Sequence, residues 1–95
     1  MTRDPHAELI IALSDYLGPL DIISAKTRDW ASATFVGMHH ELEFTCAASS
    51  VLIDALPDVD LPMRAHFVAD LKTLSVSPAD AGYRIAVEAL TISHA

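Results

Sequence analysis

The chain has 95 residues, 52% of them hydrophobic, and sets 6 basic against 13 acidic side chains for a net charge of −7. A chain this short buries roughly 60–65% of its unfolded surface on folding, enough for one thin core, so one α+β domain over residues 1–95 is expected. The negative charge repels phosphate backbones and anionic lipid, which disfavours nucleic acid and membrane surfaces as partners.

Asp4-Pro5 predicts a helix start, since aspartate caps free amides and proline suits the first helical position. Leu9, Ile10, Leu13, Tyr16 and Leu17 recur at three- and four-residue spacings and give one apolar stripe over about residues 5–17. Gly18-Pro19 ends it. From Asp21 to Arg28 the pattern is mixed, with Ile22 and Ile23 expected to tuck into the core.

Residues 28–46 are rich in Thr, Val, Phe and Trp and read in two ways. One continuous strand puts Trp30, Val36, Met38, His40, Leu42 and Phe44 on one face. A hairpin turning at Val36-Gly37 collects Ala31, Ala33, Phe35, Met38, Leu42, Phe44 and Cys46 instead, and it is preferred for the cleaner apolar face. Thr45 then caps a short helix over 46–56 with Val51, Leu52, Ala55 and Leu56 inward, a strand over Val51–Leu56 being the alternative.

Pro57 to Pro62 reads as a rigid acidic loop. From Met63 to Val76 the chain alternates, with Met63, Ala65, Phe67, Ala69 and Leu71 opposite Arg64, His66, Asp70 and Lys72. Residues 77–82 supply a turn, and Tyr83 to Ile92 alternates again. Pairing Ser77 with Tyr83 sets Lys72 opposite Glu88 and Thr73 opposite Val87, whereas a shift by two sets Asp70 against Glu88. The expected architecture is thus about four antiparallel strands in two hairpins, two helices packed on one face, and the order α-β-β-α-β-β.

His39, Glu41 and Glu43 share one strand face, and His66 with Asp70 on the third strand could complete a metal site of imidazole and carboxylate. The spacing matches no metal signature, so His39, Glu41, Glu43 and His66 are expected to form a solvated polar face holding no metal. His40 points to the apolar face and reads as a neutral core histidine. Cys46 lies roughly 20 Å further along an extended strand, too far to be its nucleophile.

Thr34 opposite His39 is ordinary surface packing, and Asp58 and Asp60 lack the glycine and third ligand of a calcium loop. Gly18, Gly37 and Gly82 are too scattered for a dinucleotide fingerprint, a phosphate loop or a nucleophile elbow, and no cofactor is implied.

A lone cysteine forms no internal disulfide, and together with an N-terminus lacking a signal-peptide pattern it points to the cytoplasm. The reading that remains is a non-catalytic module acting by protein association, most simply as a homodimer or other homo-oligomer, since a chain this small cannot hide all its apolar surface and its sheet edges must pair or be blocked. A small-ligand or metal-binding protein, hydrolytic through the polar sheet face, is the alternative.

Overall fold

The computed structural model describes residues 4–93. Helix α1 (Pro5–Leu17) begins as its sequence requires: the Asp4 carboxylate accepts from the His6 amide, and Pro5 occupies the first turn. Gly18 ends it with φ of 86°, a left-handed value open to glycine, and its amide bonds the Ser14 carbonyl. Leu9, Ala12, Leu13 and Leu17 are buried, with Ile10 and Tyr16 packed at their flank.

Two antiparallel hairpins follow, β1 (Leu20–Ala31) with β2 (Val36–Cys46) and β3 (His66–Ala79) with β4 (Gly82–Ser93), separated by helix α2 (Ser50–Ala55) and a 3₁₀ turn at Leu56–Asp58. The order α-β-β-α-β-β is the expected one. The four strands form one sheet in the order β1-β2-β4-β3, so β2 and β4 are central. The helices cover one face, where Phe44, Leu42, Ile85 and Val87 meet Leu9, Leu13, Ile53 and Leu56. No helix among the described residues is long and apolar enough to cross a membrane.

The first hairpin turns earlier than its sequence suggests, at residues 32–35, because Ser32 organises that turn: its Oγ accepts from the Thr34 and Phe35 amides, and its own amide bonds the Phe35 carbonyl. Phe35 is consequently exposed rather than part of the apolar face. The segment read as mixed, 21–28, lies within β1, and Ile22 and Ile23 are 41% and 47% exposed, not in the core. A bulge between Ile22 and Ser24 changes which side chains face inward, and the helices do not reach far enough to cover them.

Thr45 completes β2 instead of capping a helix; Ser49 is the cap of α2, accepting from the Leu52 amide, and the alternative strand over 51–56 does not form. Of the residues expected inward there, Leu56 is buried, Val51 and Leu52 are exposed, and Ile53 fills the core.

In the second hairpin Lys72 does pair with Glu88 and Thr73 with Val87. Beyond them a bulge at Leu74 advances the register by one, so Ser77 faces Arg84, Pro78 faces Tyr83, and the expected five-residue loop tightens to the pair Asp80-Ala81. A second bulge, at Ala69, inverts the alternation at the start of β3: His66 is buried and Phe67 exposed, the reverse of the faces read from sequence.

Gly37 lies inside β2 rather than at a turn, and its role is close approach. A Cβ there would overlap the Thr91 carbonyl oxygen and sit 2.9 Å from Ile92 Cδ1. Gly37→Ala should therefore destabilise the fold by about 1–3 kcal/mol, read as a lower urea midpoint at unchanged slope.

Candidate functional site

The sheet sorts the titratable residues onto two faces. On the uncovered face the ladders align Lys26, Glu41, Glu88 and Lys72 in one row across all four strands, and Arg28, His39 and Leu90 in the next. Glu41 and Glu88 are thus directly opposed, an arrangement that repels at neutral pH. Cations flank both sides, and His39 Nε2 lies 2.8 Å from Glu88 Oε1 while Arg84 reaches Glu43 at 2.8 Å. These are part-exposed pairs in high dielectric, and each adds little to stability.

Of the four sequence-derived candidates, His39, Glu41 and Glu43 share this face, as β2's alternation requires. His66 does not join them. The bulge at Ala69 turns it to the opposite, helix-covered face, so the sheet itself separates it from the other three. Thr34 is not across from His39 either: it sits in the turn, and Arg28 is the residue opposed to His39.

On the covered face a different constellation forms, drawn from every segment that meets the first turns of α1. Helical geometry sets His6 and Glu8 on opposite flanks of the buried stripe of α1, His6 one turn before Leu9 and Glu8 one turn before Ala12. β2 supplies His40, β4 supplies Thr91, and the start of β3 supplies His66. His40 and Thr91 are fully buried, and Glu8 and His66 nearly so.

The partners fix the protons in one chain. Thr91 Oγ1 donates to the Met38 carbonyl at 3.4 Å and accepts from His40 Nε2 at 2.9 Å. His40 therefore carries its hydrogen on Nε2 and presents a bare Nδ1 to His6 Nδ1, 3.1 Å away, which must donate. The two rings lie nearly parallel, with centroids 5.4 Å apart. A proton added to His40 Nδ1 would set two donors face to face.

Burial, reinforced by the neighbouring His6 and His39, pushes the His40 pKa down to about 4. Alongside, Glu8 anchors α1 to the chain entering β3. Its Oε1 accepts from the Arg64 and Ala65 amides at 2.8 and 3.1 Å, and its Oε2 accepts from His66 Nδ1 at 2.6 Å. Burial alone raises a carboxyl's pKa, but the Ala65 amide, the His66 ring and the Arg64 amide outweigh it and hold Glu8 below its ordinary value.

Chemically, the arrangement is a satisfied polar tie. Thr91 Oγ1 has no exposure and both its hydrogen-bonding roles are filled. Cys46 is buried at the far end of β2. Among the described residues no three His, Cys, Asp or Glu side chains converge in a way that could hold a metal ion. His40's inward orientation was legible in the strand pattern; His6 and Glu8 were not singled out, though both follow the Asp4 cap at positions one helical turn can reach.

No protein-family model matches the chain, and no curated protein and no solved structure matches it.

His40 and Glu8 act in successive pH windows. A histidine depressed from 6.5 to about 4 leaves the unfolded chain binding more protons, so its contribution is intact above pH 6.5 and is lost as pH falls toward 4. That loss is on the order of 2–3 kcal/mol. Glu8, depressed in turn, keeps its contribution until pH falls below the ordinary carboxyl range. Urea midpoints should fall from pH 7 to pH 4.5, and His40→Leu should flatten the dependence between 6.5 and 4.5 even if it lowers stability at pH 7. An equally steep slope in that variant would assign the effect elsewhere. Glu8→Gln should lower Tm at pH 7, because an amide has one accepting oxygen for these three donors and turns its NH2 against the Arg64 and Ala65 amides or against His66 Nδ1.

Proposed function

We propose that this protein is a non-catalytic association module whose working surface is the part of the sheet its helices leave open, edge strands included, with a second copy of the chain as the partner. The observation that carries this reading is that exposed large hydrophobics lie mainly on the outer strands and the first turn: Phe67 on the uncovered face of β3, Ile23 and Leu74 at the bulges, Ile22 and Val76 on the helix side beyond the reach of the helices, and Phe35 and Val36 at the first turn. Helix faces contribute only Ile11, Val51 and Leu52. A small domain gains by removing such surface from water, at about 25 cal/mol per Å² of apolar area.

The polar chemistry supports the same reading. Groups that converge closely are sequestered under α1, while on the open face His39 pairs with Glu88 and Arg84 with Glu43. A net charge of −7 opposes uncontrolled aggregation, so association is restricted to arrangements that place the few cations well.

Sedimentation equilibrium over micromolar concentrations should show a mass rising toward twice 10.2 kDa. A mass of 10.2 kDa at every concentration would sink the proposal.

A further inference from the structure

β1 has a ladder partner on one side only, and its residues 21–29 are exposed without interruption, so side chains on both of its faces meet solvent. Strand edges left in this state display unpaired backbone donors and acceptors, which proteins either block or pair. From Ser24 to Ala31 the alternation is regular: Ser24, Lys26, Arg28 and Trp30 lie on the uncovered face, and Ala25, Thr27, Asp29 and Ala31 on the other.

The charges on this edge are decisive for what can dock there. Among the described residues neither Lys26 nor Arg28 makes an ion pair, although Glu41 stands opposite Lys26. Two unpaired cations on an edge usually discourage pairing, yet here they discriminate between registers. A two-fold axis normal to the sheet pairs each residue with one equally far on the other side of the centre. Centres at Lys26, Thr27 and Arg28 set Lys26 against Lys26, Lys26 against Arg28, and Arg28 against Arg28. A centre at Asp29 opposes two carboxylates.

A centre at Ala25 opposes no like charges, because past the Ile22/Ser24 bulge, which offsets the count by one, Arg28 comes level with Asp21 and Asp29 with Leu20. Each Lys26 then faces Ser24 of the second copy, with its own Glu41 on one side and Glu43 of the second copy two strand spacings away, about 10 Å, on the other. The small Ala25 side chains meet at the axis, and the Ile22/Ser24 bulges fall beyond the ends of the regular ladder. Building on the association reading, we propose that two copies pair antiparallel along β1, on a two-fold axis through Ala25, joining their sheets into one of eight strands.

Residues directly opposed in an antiparallel ladder have Cα atoms about 4.5–5.5 Å apart, within disulfide range, whereas Thr27 in this register lies roughly 13 Å from its counterpart. Ala25→Cys and Thr27→Cys are small changes at exposed positions and should leave the fold intact. Each variant and the wild-type chain, whose own Cys46 is buried, would be sedimented and then oxidised with glutathione disulfide. The expected result is a dimer by mass that becomes disulfide-linked in Ala25→Cys, with at least tenfold slower linkage in Thr27→Cys and in wild type.

A dimer by mass that links through Thr27, or through neither position, overturns the β1 register while leaving association standing. A monomer by mass overturns both.

Discussion

Helical cover is the scarce quantity in this fold. A 13-residue helix is about 20 Å long, while strands of 11–14 residues extend to about 35–45 Å, and α2 adds only six residues. The elongated outline, 43 Å by 24 Å by 20 Å, follows from that mismatch. Two short helices shield the central pair β2 and β4 and leave most of β1, the outer edges and most of the opposite face to solvent. The core is correspondingly narrow, with Phe44, Ile85 and Val87 meeting Leu9, Leu13, Ile53 and Leu56 in one layer.

A helix that is long relative to its core contact needs a second attachment, and here the attachment is polar. The Glu8 carboxylate collects two backbone amides and an imidazole, so the chain entering β3 is fastened to α1 by hydrogen bonds to a single buried anion. The His6, His40, Thr91 and Met38 chain fastens the same end of the helix to the two central strands. Such networks are costly when broken and modest when complete, because each buried group has exchanged water for one specific partner. Their value is specificity: only one placement of α1 satisfies Glu8, His66, His6 and His40 together. The apolar stripe alone would tolerate sliding along the sheet.

The open face shows a looser logic. Glu41 opposite Glu88 is an unfavourable neighbour pair of the kind that ruled out an alternative register for the second hairpin. It persists between β2 and β4 because Lys26, Lys72 and His39 surround it, and because the buried side of the same ladder, Leu42 beside Val87, sets the register. Surface charge adjusts to a register that apolar burial has chosen. Where no core lies behind a strand, as along β1, that hierarchy reverses and charge is left to discriminate between pairings.

The sequence by itself determined what depends on near neighbours. The Asp4-Pro5 cap and the Gly18 stop bound α1, the spacing of Leu9, Leu13 and Leu17 orients it, and the alternation in β2 turns His40 inward and His39, Glu41 and Glu43 outward. Matching apolar patterns likewise placed Lys72 against Glu88. Only the tertiary structure decided what depends on a single inserted residue or on distant segments. The bulge at Ala69 reverses every face before it, because side-chain direction in a strand has period two and one extra residue exchanges the sides. That reversal moved His66 from the polar face to Glu8, and no local pattern announces it. The buried cluster joins residues up to 58 positions apart, brought together by the packing of α1 over the sheet. Local propensity can specify each of those elements, but which polar groups meet is fixed only when the core closes and excludes the water they would otherwise have kept.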